Sequence, residues 1–267
     1  MKPPVVETLQ SRAKRHWLLF LVLLFVIALL LGYGAGFRPG PGLTIVRVGT
    51  LTVTDLPAGT TVFTDMASRG VSNGGPFNVP LVPGTHTVIV SAPGDEPFER
   101  TVTITSNEAT EVSAILVPQK PLPTILDGAE AAAAQALIAK SVLPTQGAPL
   151  SVGCADVYVL DNRVVAAPAT TTPGCATPPD YMCTNGSCAP TLVYAPTTPI
   201  HDVVHFPGRT DAVIVATGPS VNVVGLDPRY PQYFAPVVKS MNPLIAEAST
   251  TGGFFVSDSG KTYFIGF

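Results

Sequence analysis

"IHDVVHF", residues 200–206, is the stretch on which the class of fold turns. His201 and His205 stand four apart with Asp202 directly after the first. With Glu in place of that Asp the string is H-E-x-x-H, a zinc-binding pair on a helix. Such a pair needs an α-helix, where side chains at i and i+4 meet at roughly 5–6 Å. On a strand the two residues share a face but lie about 13 Å apart, at roughly 3.3 Å per residue. One zinc ion, which takes its nitrogens at about 2.0–2.1 Å, cannot reach both. The segment holds two adjacent valines and Phe206, and Pro199 and Pro207 bracket it. Helices average about 11–12 residues, more than this window offers. The stretch therefore predicts a strand with histidines lining one face. Asp202 is also a methylene shorter than the usual general base. His16 and His86 lie in other parts of the chain, which leaves a carboxylate such as Glu247 as the third ligand.

The rest of the composition agrees with strands. Only 12% of the 267 residues are charged, while 24 Gly and 28 Pro make up almost a fifth of the chain. That profile suits short strands and frequent turns. The formal net charge of −3 excludes the basic surface of a nucleic-acid binder.

One segment departs from the pattern. "WLLFLVLLFVIALLLGYGAGF", Trp17–Phe37, carries no charge over 21 residues and as a helix spans roughly 30 Å, the thickness of a bilayer core. Lys2, Arg12, Lys14 and Arg15 precede it, whereas Arg38 and Arg47 alone follow closely. The positive-inside rule puts residues 1–16 in the cytoplasm and the remainder outside, with Trp17 and Tyr33 at the interfaces. A cleaved signal peptide is the competing reading, although no A-x-A site is present. Both readings export the body of the protein. All four cysteines, Cys154, Cys175, Cys183 and Cys188, lie in that exported part, where an even number reads as disulfides. Cys183 and Cys188 are expected to pair across their four-residue turn, leaving Cys154 to Cys175.

The exported part opens with "RPGPG" (38–42) and then alternates strands with turns. "LTVT", "TVFTD", "THTVIVSA", "FERTVTITS" and "TEVSAILV" show period-two patterning and are separated by "DLPAGT", "VPG", "PGDEP" and "NEA". Short strands at this spacing predict a small antiparallel sandwich, with Val88, Val90, Val102 and Ile104 on one buried face. Nearly the whole stretch is similar to the PEGA domain. Pro57-Ala58-Gly59-Thr60 stands where the family has its Pro-Glu-Gly-Ala turn, and Pro83-Gly84 precedes the His86-Thr87-Val88-Ile89-Val90 strand. The family's Asp-Gly after the second strand is Asp65-Met66 here. The resemblance implies a β-sandwich in an extracytoplasmic, envelope-linked protein, and no catalysis.

"AEAAAAQALIAK" predicts a helix, with Asp127 and Glu130 spaced as a capping box. "LPTQG" (143–147) resembles a sortase signal but lacks Thr in the fourth position, and it reads as the loop ending that helix. Beyond it "DVYVL-DN-RVVAA" (156–167) predicts a hairpin, and "PATTTPGCATPPD" (168–180) a Pro-rich loop. "TLVYA", "HDVVHF", "DAVIVAT", "SVNVVGL", "GFFVS" and "KTYFIGF" are further strands. "DAVIVAT-GP-SVNVVGLD-PR" resembles one propeller blade. At about 40–45 residues per blade the region is short of three, so an open, blade-like meander is expected.

Three further motifs reduce to turns. "SDSGKT" (257–262) has Phe255 where a phosphate-binding loop needs its first Gly. "GPSVN" (218–222) lacks the second Gly of a nucleophile elbow. "NGS" (185–187) is a sequon inside a tight cysteine loop.

The chain is thus expected to be mainly β: cytoplasmic tail 1–16, transmembrane helix 17–37, PEGA-like β-sandwich 38–118, linker with helix 119–150 and disulfide-containing β-rich domain 151–267. The expected function is a non-catalytic, membrane-anchored envelope protein with a binding or structural role. Neither catalytic residues, metal ligands nor cofactors are expected. The partners implied are the membrane and cell-wall polysaccharide or envelope proteins, without nucleic acid. The alternative is a zinc-dependent hydrolase using His201, Asp202 and His205.

Overall fold

A computed structural model describes residues 6–40, 44–169, 172, 174–175, 177–248 and 252–267. Residues 1–5 of the tail, Pro41 and Gly42 of the leader and four positions of the Pro-rich loop lie outside the described residues. Two compact units compose the chain. One comprises residues 1–53, 78–86 and 102–112, the other residues 54–77, 87–101 and 113–267.

The first unit begins with helix α1, Val6–Gly34. Its span His16–Gly34 is long and apolar enough to cross a membrane, and none of it is buried inside the protein. The body of this unit is a three-stranded sheet. Its strands are β1 (Gly49–Thr54) in the centre, flanked by β4 (Phe77–Leu81) and β7 (Ala109–Ser113). Every second residue of β1 is buried, as the alternation in "GTLTVT" requires: Gly49, Leu51 and Val53. Gly49 has no alternative, because a Cβ there would stand 2.2 Å from the Thr105 carbonyl oxygen.

The second unit carries most of a four-stranded antiparallel sheet in the order β3 (Ala67–Asn73), β2 (Ala58–Thr64), β5 (Gly84–Ser91), β6 (Phe98–Ile104). Val88, Val90, Val102 and Ile104 are all buried, as their alternation predicts. Hairpin β2–β3 closes through Asp65 and Met66, both at positive φ (52° and 65°). That is the type I′ turn whose twist matches paired strands. The same turn recurs at Asp161-Asn162, Asn185-Gly186 and Ser259-Gly260. The last two are the sequon and the "SDSGKT" motif, so both stretches are hairpin tips.

Residues 124–266 build three four-stranded antiparallel sheets. Strands are β8 (Thr124–Ile125), β9 (Leu150–Val152), β10 (Ala155–Leu160), β11 (Arg163–Pro168), β12 (Thr191–Tyr194), β13 (Ile200–His205) and β14 (Ala212–Thr217). They continue with β15 (Ser220–Gly225), β16 (Phe234–Lys239), β17 (Leu244–Ala248), β18 (Gly253–Asp258) and β19 (Lys261–Gly266). The first sheet is β9-β10-β11-β12, the second β13-β14-β15-β16 and the third β8-β19-β18-β17. Length alone leaves residues 151–267 short of three blades. Three four-stranded sheets arise because the third takes its outer strand from upstream, Thr124 opposite Phe264 and Ile125 opposite Tyr263.

Helix α2 (Gly128–Lys140) lies on that third sheet, burying Ala134 and Ile138. Asp127 is its N-cap in extended conformation, but its side chain makes no capping hydrogen bond. Gly128 follows at φ +53°, so the chain turns left-handed where a capping box needs a helical residue. The first and second sheets share one apolar core, in which Val157, Val164, Ala166, Val213, Val215 and Leu226 are inaccessible to solvent. Cys154 is bonded to Cys175 and Cys183 to Cys188. The first bridge closes a loop of 21 positions, which on chain-entropy grounds stabilises by about 3 kcal/mol. It anchors a Pro-rich stretch with little apolar surface of its own.

Met66 occupies a left-handed position and is 81% exposed, so it bears a backbone cost of about 1–2 kcal/mol without packing in return. Met66→Gly is expected to raise stability by up to about 1 kcal/mol, since glycine's extra unfolded-state freedom offsets part of the gain. The urea midpoint of the chain from residue 38 onward should move upward; an unchanged or lower midpoint would contradict this account of the turn.

Candidate functional site

Strand β13, the segment "IHDVVH", contacts both β9 and β17, so one strand from each of the three sheets meets here. The β-branched residues of the segment pair antiparallel with β14, Val203 opposite Val215 and Val204 opposite Ile214. The register slips between Ile200 and Asp202, leaving His201 as the extra residue of a β-bulge. The start of the strand is set by Asn162 of the β10–β11 turn. Its carbonyl accepts from Ile200 N at 2.8 Å, and its amide donates to the Pro196 and Thr198 carbonyls at 3.3 and 3.1 Å.

His205 joins all three sheets. Its Nδ1 lies 2.9 Å from Glu247 Oε2 on β17, and its Nε2 lies 2.8 Å from the Ser151 carbonyl on β9. A carboxylate and a carbonyl are both acceptors, so both bonds form together only when the ring carries two protons. The Ser151 hydroxyl donates to Asp156 Oδ1 at 2.9 Å, fixing β9 against its own neighbour. His205 and Glu247 are therefore brought together as the zinc alternative requires, but His201 and Asp202 are not gathered with them. Among the described residues no group of three or more His, Cys, Asp and Glu is arranged to hold a metal ion.

Asp202 is buried, with 4% of its surface exposed. Burial pushes its carboxyl pKa above 3.8; hydrogen bonds from Ser141, just past α2, and from Val203 N pull the other way. The aspartate thus ties the end of α2 to β13 and has no open solvent face.

Two arginines do comparable work nearby. Arg209, in the turn after β13, is 11% exposed and grips Asp211 bidentately, Nε to Oδ1 at 2.9 Å and Nη2 to Oδ2 at 2.7 Å. Its Nη1 donates to Asp55 Oδ2 and to the Ala114 carbonyl, both at 2.9 Å. Asp227, 8% exposed, accepts from Arg229 N at 3.0 Å and from both the Arg229 and Arg100 guanidiniums. Arg229 reaches on to Asp180 at 3.0 Å, beside the Cys183–Cys188 hairpin. The planar fork of arginine suits such shared, partly buried sites. No sequence motif marks these residues. Besides a carboxylate two residues away, each arginine reaches a distant one, Asp55 at 154 positions and Asp180 at 49, beyond any local spacing rule.

An open groove of about 320 Å³ runs between β16 and β18–β19, lined by Pro121, Pro123, Val237, Lys239, Val256 and Tyr263. Lys239 and Asp258 continue into a wider depression of about 610 Å³ beside Pro219 and Met241. Its lining comes from residues 121 to 265 and could not be assembled from the sequence.

Residues 48–120 match the PEGA domain. No curated protein matches the chain. Among solved structures, the chain is similar to a crystal structure of a DUF3823 family protein from Bacteroides ovatus ATCC 8483. The identity is 8% and the TM-score 0.21, over 82% of this chain and 95% of that one. So loose a superposition carries no argument about fold or function.

Two predictions follow from the buried charges. Arg209→Ala should destabilise by about 2–3 kcal/mol, less than a fully buried pair because its carboxylates keep water. Arg209→Lys should recover little of that, because an ammonium cannot reproduce the fork; equal stability of the alanine variant would refute the clamp. For Asp202, a raised native pKa means that the folded state favours the proton. Its contribution to stability is greatest below 3.8 and is lost as pH rises through the native value. Asp202→Asn, which keeps an acceptor for Val203 N, should be more stable than the parent at neutral pH. That advantage should vanish as pH falls to 3.8. Urea unfolding at both pH values reads the difference, and an advantage that grows with acid would reverse the sign.

Proposed function

We propose that this chain is a single-pass, membrane-anchored extracytoplasmic protein of the cell envelope with a binding or structural role and no catalysis. The observation that carries the proposal is the apolar stretch His16–Gly34, none of which is buried within the protein. An unpacked surface of that length is stable in a bilayer and costly in water. The PEGA match over residues 48–120 and two disulfides support an exported body.

The role follows from how the polar side chains are used. His205, Asp202, Arg209, Asp227 and Arg229 bond strand to strand and turn to turn. They stiffen a β-rich body, as a spacer or presenting surface requires. Cell-wall polysaccharide or another envelope protein is the partner class that such a tethered body meets.

By the positive-inside rule, the basic residues that precede the apolar stretch favour a cytoplasmic N-terminus. Protease added to intact cells should destroy a C-terminal tag and spare an N-terminal one, with both tags in the membrane fraction. A soluble mature form beginning near Phe37 would make the helix a signal peptide instead. Protection of the C-terminal tag would reverse the topology.

A further inference from the structure

We infer that the short hairpin immediately after α1 is a second membrane contact, seated in the headgroup layer and holding anionic phospholipid through Arg38 and Arg47. The inference rests on the anchor reading above and adds a site to it. The hairpin pairs Phe37–Pro39 with Ile45–Arg47, Phe37 opposite Arg47, Arg38 opposite Val46 and Pro39 opposite Ile45. Side chains alternate along a strand, so Phe37, Pro39, Ile45 and Arg47 share one face. That face is open: Phe37 is 42% and Ile45 78% exposed. The Arg47 guanidinium lies over the Phe37 ring at 5.9 Å from its centroid. Arg38, on the other face, caps the helix by donating to the Tyr33 carbonyl at 2.7 Å, and its guanidinium stacks 3.3 Å over the Tyr33 ring.

Chain length determines the depth. Only Ala35 and Gly36 separate α1 from Phe37, a reach from Gly34 of at most roughly 10–11 Å. Gly36 N bonds the Tyr33 carbonyl at 3.2 Å and Val48 N bonds the Gly36 carbonyl at 2.9 Å, which folds the hairpin against the helix end. The polar layer on each side of the hydrocarbon core is roughly 5–8 Å deep. A helix that spans therefore delivers this hairpin into that layer. There its exposed Phe and Ile meet the acyl boundary and the two arginines meet phosphate. No acidic residue occurs between Glu7 and Asp55 to repel an anionic surface.

The test uses the full chain, disulfides intact, reconstituted in phosphatidylcholine vesicles with and without phosphatidylglycerol. An environment-sensitive fluorophore is attached at Ile45→Cys, with Leu24→Cys in the helix and the exposed Met241→Cys as references. The Ile45 label should be blue-shifted and quenched by headgroup-level quenchers, the Leu24 label by deep ones, and the Met241 label by aqueous iodide alone. In anionic vesicles Arg38→Gln with Arg47→Gln should lower the docked-to-free ratio of the Ile45 label, by roughly fivefold per arginine. An Ile45 label as iodide-accessible as Met241, with Leu24 inserted, overturns the hairpin contact alone. An aqueous Leu24 label overturns the anchor and the contact together. Unchanged docking in the double variant overturns the role of the arginines.

Discussion

The guanidinium of Arg209 holds together parts of the second unit that sequence keeps far apart. It spends its donors on Asp211, Asp55 and Ala114, and it sits in the turn that leaves β13. Three positions upstream, the Phe206 ring packs against Phe267. Gly153 approaches Thr210 so closely that a Cβ would lie 2.7 Å from its carbonyl oxygen. The strand that begins at Asn162's amide therefore ends in a turn clamped on several sides. With both ends held, β13 can carry His205 to Glu247 and Ser151.

Burial of charge here serves placement more than stability. A buried ion pair seldom outweighs the hydration it loses, whereas a broken one leaves an unpaired charge behind. Apolar burial fixes which face of a strand turns inward but is less selective between registers two residues apart. Asp202, Arg209 and Asp227 accept one each, because each has partners at particular positions on other elements. Asp202 is the costly case, since burial works against its ionised form.

Helix α1 departs from the patterning of the rest of the chain. From Trp17 to Leu31 α1 exposes apolar side chains on all sides, which a water-facing helix does not do. The segment after it changes character within a few residues, from uninterrupted apolar helix to a hairpin that mixes arginine with aromatic rings. On the anchor reading proposed above, that gradient is what a passage from hydrocarbon to headgroup to water would require.

Features that depend on neighbouring residues were legible in the sequence. The uncharged run specifies α1, period-two alternation specifies the strands and their buried faces, and Asp161-Asn162 specifies a hairpin because both residues tolerate positive φ. "IHDVVHF" is a strand for reasons contained within it: β-branched residues between two prolines. Even so, the bulge at His201 is absent from the local pattern, and Asp127 matches a capping box without forming one, since Gly128 turns the chain away. Tertiary structure alone decided that Thr124–Ile125 completes a sheet whose other strands begin at Leu244. It alone brought Glu247 to His205 and made Arg209 a hub. The physical reason is that alternation and turn chemistry act over a few residues, where backbone sterics couple them. Salt bridges and sheet edges are matched through space, and their partners are chosen by how the whole chain returns on itself.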